Sequence, residues 1–544
     1  MDNGTAEAPW KAKAAIKRAA EAAKIPQEWR LAPEYLTGNE KSDVSVVEIP
    51  SKCGILSPAE IEITERYSAV ALGRAVQSGQ ITASAVALAF CKRAAIAQQL
   101  TNCLTETFFE DALKRGRYLD DFLAEHKRPV GPLHGVPISI KDMMNYKGVP
   151  STLGLISFLD HPVADQNSPL VDILLHLGAI LYCKTNIPQT MMTADSDNNV
   201  FGRTLNPHRL SLTAGGSSGG EGALVALRGS ILGIGTDIGG SIRIPALCCG
   251  TYGFKPSAHR IPYGGFAACS RRGSPGFPSV AGPLANSYED LSFLVQNVIA
   301  SKPWDLDASA IPVPWRAEVA NSTPASLRIG YFIEYPTFKV SPPVVRTLEA
   351  AAKKLAAAGV TVVPLTTLPS ITEAHKLISD TFSFDNTKTA IRHIQAGGEP
   401  LVPSVLKVGG SLLPKPDGYT VNDVFDHNVA KAVYKSAWNK IFVENALDVI
   451  LCPGAGHTAL PHDEYGVPPY TAIFNLLEYP GVVIPMGFAD SSIDTDELAR
   501  PDIVPPYDAK AVHGAPTSVQ IVARNYHDEE LVAAGRVINQ ILKS

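Results

Sequence analysis

Apolar positions recur at helical spacing in several parts of the chain, and short β-branched runs stand between them. Residues 9–24 predict one helix. From residue 64 onward the pattern predicts two more helices, of which the first ends near Gly79 and the second begins at Thr82 or Ser84. The chain therefore opens with a helix-rich portion.

Further along the chain, helices alternate with strands. Residues 171–177 predict a helix that ends at Gly178, and a strand follows over 179–183. Residues 329–363 predict a strand, a helix over 344–358 and a second strand. One face of this second helix is expected to carry the apolar residues Val345, Leu348, Ala352 and Leu355. Strands that alternate with helices predict an α/β protein with a mixed or parallel sheet.

Composition limits the class of protein and its partners. The 544 residues are 45% apolar, carry a net charge of −5 and can bury a sizeable core, but they offer no basic surface for nucleic acid. Residues 1–24 lack the apolar core of a signal peptide, and no run of about 18 apolar residues predicts a membrane span. The eight cysteines are scattered without a C-x-x-C pair, which favours free thiols and a cytoplasmic location.

Three short segments combine glycines with side chains that can carry chemistry: residues 135–142, 215–222 and 235–243. Loops this rich in glycine bring their backbone close to another group. Segment 215–222 lacks both G-x-x-x-x-G-K-[ST] and G-x-G-x-x-G, which disfavours a nucleotide site. Its Ser218 is the centre of a G-x-S-x-G pattern, but that pattern requires a preceding strand, and residues 206–212 are interrupted by proline and charge. A nucleophile elbow of the α/β-hydrolase type is therefore disfavoured.

The third segment predicts a reactive serine. Ser241 follows residues 238–240, whose backbone N–H groups can form an oxyanion hole. Asp237 and Arg243 bracket this loop and are expected to pair across it. A serine needs a base, and the histidines nearby in sequence have no special setting. Lys141 ends an apolar strand, where burial would lower its pKa and leave a neutral amine to act as the base.

Together these segments resemble the amidase signature family. The block over residues 215–256 carries the resemblance, with G-G-S-S-G-G-E-G-A-L at its start, G-T-D-I-G-G-S-I-R in its middle and G-F-K-P at its end. Shorter matches lie at 184–189, 202–207 and 513–516, so that the resemblance covers roughly residues 64–544. The chain looks most like fungal acetamidases and general amidases.

The resemblance implies a central mixed β-sheet that helices cover on both faces. It makes residues 64–544 an amidase catalytic domain, with the core of the signature at about residues 130–300. Residues 1–63, where a helix is followed by a stretch rich in Pro, Gly and Ser, are expected to form an N-terminal helical arm.

Carried over by position, the resemblance makes Ser241 the acylated nucleophile, Ser217 the bridging serine on a cis peptide, and Lys141 the terminal base. The implied reaction is hydrolysis of a carboxamide to an acid and ammonia or an amine, through an acyl-enzyme on Ser241 and without a metal or organic cofactor. The oxyanion donors of the family correspond to the backbone N–H groups of Ile238, Gly239, Gly240 and Ser241.

The same resemblance places residues 189–199 along the acyl pocket. Met191 and Met192 suit an adaptable apolar pocket, although they could equally fill the core. Asp195 stands where a glutamate is expected from the family and is a candidate substrate contact. Ser218 is expected to form a hydrogen bond beside the nucleophile.

Alternative functions remain open from the sequence. An amidotransferase A-type subunit is disfavoured by the segment 1–63 and by the acidic charge, and an inactive binding scaffold conflicts with the presence of Lys141, Ser217 and Ser241. A hydrolase of fatty or secondary amides or of esters fits the same signature, but the absence of an N-terminal apolar span disfavours stable membrane insertion. The expected partner is a small-molecule amide, and the sequence leaves open whether the chain forms a homodimer.

Overall fold

The centre of the protein is a large twisted sheet. We describe it from a computed structural model that covers residues 8–324, 326–408, 417–466 and 468–544. Within these residues eleven strands form one sheet in the spatial order β1-β3-β2-β4-β6-β5-β10-β11-β9-β7-β8. The strands are β1 (Leu104–Thr107), β2 (Pro137–Lys141), β3 (Ile180–Thr185), β4 (Leu232–Asp237), β5 (Tyr252–Lys255), β6 (Val280–Ala285), β7 (Arg328–Tyr331), β8 (Thr361–Pro364), β9 (Val449–Cys452), β10 (Gly481–Phe488) and β11 (Pro516–Val522).

The sheet is mixed and contains two groups of parallel strands. Strand β2 pairs in parallel with both β3 and β4, and β7 pairs in parallel with both β8 and β9. The other neighbouring pairs are antiparallel. The predicted α/β class with a mixed sheet is therefore confirmed.

Helices cover both faces of this sheet. Every residue of β2, β3 and β4 is buried, and because successive side chains of a strand point to opposite faces, both faces must be covered. The helices of the described residues are α1 (Pro9–Ala23), α2 (Ile49–Lys52), α3 (Pro58–Glu65), α4 (Ala69–Gln77), α5 (Ala83–Thr101), α6 (Phe109–His126), α7 (Pro169–His176), α8 (Gly219–Ala226), α9 (Arg243–Cys249), α10 (Tyr288–Ala300), α11 (Ala317–Ala320), α12 (Pro342–Ala357), α13 (Ile371–Ser383), α14 (Thr389–Gly397), α15 (Pro403–Lys407), α16 (Val421–Glu444), α17 (Pro469–Leu476) and α18 (Asp528–Lys543).

The elements that hydrophobic spacing predicted are present. The helix predicted over 9–24 is α1, and Thr82 caps α5 by accepting a hydrogen bond of 3.1 Å from the Ala85 N–H. The helix and strand predicted over 171–183 are α7 and β3. The unit predicted over 329–363 is β7, α12 and β8, with the two strands paired in parallel.

The buried face of α12 differs from the predicted one by one position at two of its four residues. Leu348 is buried as expected, but Val344 and Ala351 are buried in place of the half-buried Val345 and Ala352. Valine stands at both 344 and 345, and alanine at both 351 and 352. Polarity alone therefore could not distinguish the two faces, and the packing against the sheet decides between them.

The N-terminal segment is attached to the rest of the protein by buried contacts. Lys17 of α1 donates a hydrogen bond of 2.8 Å to Glu106 of β1, and Trp29 and Leu31 belong to the main hydrophobic core. Helix α3 spans the boundary that the sequence suggested between residues 63 and 64. The division into an arm and a catalytic domain stays a prediction.

We expect Leu348→Ala to destabilise the protein by about 2–5 kcal/mol, because it leaves a cavity beneath α12. The matched change Val345→Ala should cost less than about 1 kcal/mol, because this side chain is only half-buried. The midpoint of urea unfolding measures both changes. Equal shifts for the two variants would contradict the observed orientation of α12.

Candidate active site

The ends of two parallel strands bring the predicted catalytic residues to one edge of the sheet. Lys141 is the last residue of β2, and Asp237 is the last residue of β4. Because β2 and β4 are parallel neighbours, their carboxyl ends lie side by side. The loop that follows β4 carries Ser241 and leads into α9, while Ser217 lies just before α8.

The amine of Lys141 is buried and bonds only to hydroxyl groups among the described residues. Its Nζ lies 2.7 Å from Ser217 Oγ and 2.9 Å from Thr236 Oγ1. Burial lowers the pKa of Lys141 to about 7, although the carboxyl groups of Asp237, Glu221 and Asp142 act to raise it. A large fraction of this lysine is therefore neutral near pH 7.

Ser217 is the hydrogen-bond partner of Lys141 at the wall of the cavity. It follows a cis peptide bond at Gly216, and its side chain is buried. Ser217 and Ser241 both line the same cavity. The backbone N–H of Ser218 donates to the carbonyl of Ser241 at 3.2 Å, so that the two serine loops are tied together.

Ser218 contacts the backbone of Thr236 in β4, and its predicted place in the substrate site stays a prediction. The Thr236 N–H donates to its Oγ at 3.3 Å, and this hydroxyl lies 3.4 Å from the Thr236 carbonyl. Ser218 does not line the cavity that Ser217 and Ser241 share. In the described part of the chain no strand leads directly into Ser218, although a nucleophile elbow requires one, and this also argues against such an elbow.

A buried ion pair holds the loop after β4, as the sequence predicted. Arg243 donates to both carboxylate oxygens of Asp237 at 3.0 Å. Burial alone would raise the pKa of Asp237, but Arg243 outweighs this effect and holds that pKa well below its usual value. Arg243 also donates to Asn475 at 2.6 Å and to Gln520 at 2.8 Å, which links the loop to α17 and β11.

The same carboxylate engages one of the predicted oxyanion donors. The Gly240 N–H donates to Asp237 at 2.8 Å and is therefore already hydrogen-bonded in this structure. Gly240 has a φ of 130°, and a side chain there would collide with Thr471, so glycine is required at this position. The N–H groups of Ile238, Gly239 and Ser241 have no acceptor among the described residues, and all three residues are only half-buried. They remain the candidate oxyanion donors.

Two connected spaces meet at Ser241. The main cavity has a volume of about 920 Å³, and a small side chamber of about 60 Å³ adjoins it. Met191 and Met192 line both spaces, as expected for a pocket wall. Thr190 and Met191 hold left-handed backbone conformations, with φ of 72° and 60°.

Asp195 does not belong to this wall, and its predicted role as a substrate contact stays a prediction. Its carboxylate accepts hydrogen bonds from Arg203 at 2.9 Å, from Thr213 at 2.9 Å and from the Asp463 N–H at 2.6 Å. The side chain is buried and lines neither space at Ser241. Asp195 therefore anchors the segment that follows the pocket wall.

Comparison with known proteins identifies the family. A family model described as Amidase matches residues 85–532. The chain belongs to the amidase family. It is similar to a Gibberella moniliformis protein named Amidase, at 39% identity over 99% of this chain and 100% of that protein. It is also similar to an Acetamidase of Emericella nidulans, at 39% identity over 98% of each chain.

Solved structures agree with the assignment of this chain to the amidase family. A fatty acid amide hydrolase superposes with a TM-score of 0.91 at 31% identity, over 98% of this chain and 95% of the other. A bacterial aryl acylamidase of the amidase signature family superposes with a TM-score of 0.71 at 22% identity, over 87% and 96% of the two chains, which supports the fold alone. The protein is thus an amidase, an enzyme that hydrolyses carboxamides.

Several residues that shape the site of this amidase were not predicted. Thr236 bonds to Lys141, and Thr471 Oγ1 donates to the Gly239 carbonyl at 2.7 Å. Asn475 donates to Asp237 at 2.8 Å. Thr236 lies in the glycine-rich segment 235–243, which the sequence had indicated as a candidate site. Thr471 and Asn475 lie in α17, where no motif in the sequence indicates a site.

The described residues contain neither a candidate metal site nor a helix that could span a membrane. No group of three or more His, Cys, Asp or Glu side chains in this part of the amidase could hold a metal ion. No helix there is long and apolar enough to cross a bilayer. The eight cysteines are all unpaired, as the sequence suggested.

We expect Asp237→Asn to destabilise the amidase by about 3–5 kcal/mol, because it leaves the charge of Arg243 buried without a counter-ion. Glu48→Gln is the control, since Glu48 forms an exposed ion pair with Lys52, and it should leave the melting temperature unchanged. Thermal unfolding followed by circular dichroism compares the two variants. A melting temperature of Asp237→Asn equal to that of the wild type would contradict a stabilising role of the pair.

Proposed function

We propose that this amidase works through an acyl-enzyme on Ser241, with Ser217 and Lys141 as its proton relay. The observation that supports this most directly is the 2.7 Å hydrogen bond from Lys141 to Ser217, at the wall of a cavity that Ser241 also lines. A lysine whose pKa is lowered to about 7 by burial can accept a proton at neutral pH. Ordinary lysines, with a pKa near 10.4, cannot do so efficiently.

In the proposed acylation step, Lys141 takes the proton of Ser217 while Ser217 takes that of Ser241. The Ser241 oxygen attacks the amide carbon, and the negative charge on the carbonyl oxygen is stabilised by the free N–H groups of residues 238, 239 and 241. The relay then returns the proton to the amide nitrogen, which leaves as ammonia or an amine. Water enters, and the same relay releases the acid from Ser241.

The side chamber is the proposed acyl pocket. Its wall includes Met192, Ile238 and Phe382, so that it favours apolar acyl groups, and its volume of about 60 Å³ suits short ones. The similarity to proteins named Acetamidase supports the same substrate class.

Amides with longer acyl chains are the second candidate substrates. The main cavity, at about 920 Å³, is much larger than a two-carbon acyl group requires, and Phe266 and Phe277 give its wall further apolar surface. The structural similarity to a fatty acid amide hydrolase supports this candidate. Comparing amides of increasing chain length separates the two.

We also propose that the enzyme acts in the cytoplasm on small molecules and without a nucleic-acid partner. The unpaired cysteines fit a reducing compartment, and the net charge of −5 gives no attraction to a polyanion.

Ammonia release from acetamide, hexanamide, benzamide and a long-chain amide tests the mechanism and the acyl preference together. We expect Ser241→Ala and Lys141→Ala each to lower kcat/KM by about 10⁴-fold or more on the best substrate, because the relay acts as a unit. Ser436→Ala and Lys440→Ala, both on the exposed side of α16, are the matched controls and should retain wild-type rates. Full activity of Ser241→Ala would contradict the proposal.

The pH dependence provides an independent test. Since the neutral amine of Lys141 is the active form, kcat/KM should rise with pH, with a midpoint near 7, and level off above it. Initial rates between about pH 5 and 9, with circular dichroism at each pH to exclude unfolding, measure this limb. A profile that is flat through pH 7 would rule out Lys141 as the base.

A further inference from the structure

A second ionisable side chain is completely buried behind the relay, and the mechanism above does not use it. Glu221 lies in the first turn of α8, four residues after Ser217. Its side chain has no exposed surface, and no Lys, Arg or His of the described chain forms an ion pair with it. A buried ionised carboxylate without such a partner is strongly unfavourable.

The carboxyl group of Glu221 contacts three neighbouring strands, of which β2 ends at Lys141 and β4 leads into the loop of Ser241. Its two oxygens face Ser139 Oγ of β2 at 2.5 Å and Thr185 Oγ1 of β3 at 2.9 Å. Ser139 precedes Lys141 by two residues on the same face of β2, and Thr185 is the register partner of Lys141. On β4, Gly233 leaves the space that the Glu221 carboxyl fills.

Counting hydroxyl protons indicates which way the short hydrogen bond points. Ser230 Oγ donates to the Leu232 carbonyl at 2.7 Å, so its only proton is used. Ser139 Oγ lies 2.9 Å from Ser230 Oγ and 2.5 Å from Glu221, so its single proton has two acceptors within reach. An ionised Glu221 would take this proton and leave Ser230 with the Ser139 N–H alone, at 3.3 Å, whereas a protonated Glu221 can donate to Ser139 and both contacts of the Ser139 hydroxyl are then satisfied. Thr185 donates to the other oxygen, which a protonated carboxyl group accepts as its carbonyl.

We propose that Glu221 is held as an uncharged carboxylic acid that donates to Ser139, and that it positions Lys141 without adding a negative charge beside the amine. In this role Glu221 is a positioning residue. It joins α8 to β2. Helix α8 begins two residues after Ser217, and strand β2 ends at Lys141. The part of the inference that concerns Lys141 rests on the proposed function, whereas the protonation of Glu221 does not.

The electrostatic surroundings of Glu221 agree with an uncharged carboxyl group. Burial raises the pKa of Glu221 to about 8, against the opposing effects of Ser139, Thr185 and the charge of Lys141. The other titratable groups that face it are Tyr182 and Cys183 of β3 and Cys103, whose own pKa values burial raises. All three are neutral at pH 7 and supply no positive charge that would ionise Glu221.

The titratable groups that face Lys141 come from three elements. They are Asp142, which follows β2, Asp237 at the end of β4, and Glu221 on α8. An ionised Glu221 would raise the pKa of Lys141 and so reduce the fraction of neutral amine. A protonated Glu221 removes this effect and keeps its two hydrogen bonds.

Infrared difference spectroscopy of the folded enzyme tests the protonation directly. We expect the wild type minus Glu221→Gln spectrum at pH 7 to contain the C=O stretch of a protonated carboxyl group. The control difference for Glu48→Gln should contain the carboxylate bands of Glu48 and the amide band of glutamine but no protonated-carboxyl band, because Glu48 is exposed. A carboxylate band in the Glu221 difference would overturn the proposal, and this result does not depend on whether Lys141 is the base.

The pH profile tests the effect on Lys141. Glutamine is uncharged and can make the same two hydrogen bonds, so the acid limb of kcat/KM in Glu221→Gln should shift by less than about 0.3 pH unit. Loss of an anion from this site would instead move the limb down by about 1 unit or more, which would contradict the proposal.

The positioning role is tested by removing the hydrogen bonds. We expect Glu221→Ala to lower kcat by about 10- to 100-fold with little change in KM, and Glu221→Gln to restore most of this loss. Equal losses in the two variants would overturn the positioning role. Should Glu221→Ala fail to fold, the infrared spectrum and the pH profile of Glu221→Gln still decide.

Discussion

The active site depends on an amine that is buried without an anionic hydrogen-bond partner among the described residues. Lys141 bonds to two hydroxyl groups, so the low polarity around it acts on its pKa without compensation from an ion pair. Each carboxyl group nearby is engaged elsewhere. Asp237 is neutralised by Arg243, and Asp142 accepts hydrogen bonds from Thr105 Oγ1 at 2.6 Å and from the Leu153 N–H at 2.8 Å.

The parallel pairing of β2 with β4 determines the geometry of the proposed relay. It sets the end of the strand that carries Lys141 beside the loop that carries Ser241, and α8 then adds Ser217 between them. Asp237 holds this loop by accepting the Gly240 N–H. The N–H groups of Gly239 and Ser241, on either side of Gly240, have no acceptor among the described residues.

The sequence was sufficient to predict features that depend on neighbours in the chain. The α/β class followed from the alternation of helices and strands, and the pairing of Asp237 with Arg243 followed from their positions around one glycine-rich loop. The resemblance to a known family supplied the assignment of Ser217, which no local pattern distinguishes from Ser218.

What the sequence could not supply depends on residues that are distant in the chain. The partners of Arg243 in α17 and β11 lie more than 230 residues away. The carboxylate of Asp195 is satisfied by Arg203 and by the backbone of Asp463, so that proximity to the pocket wall in sequence did not bring it into the pocket. The buried face of α12 was ambiguous because identical residues stand at adjacent positions.

The separation of the pocket wall from the sheet has a consequence for how such an enzyme diversifies. Met191 and Met192 lie on a short irregular segment with two left-handed residues, whereas Lys141 and Asp237 end strands in the interior of the sheet. Under the proposed function, mutations in that segment alter which acyl groups fit without moving Lys141 or the loop after Asp237. Gene duplicates of one ancestral enzyme could acquire new substrates through this segment alone, while selection keeps the strand ends unchanged.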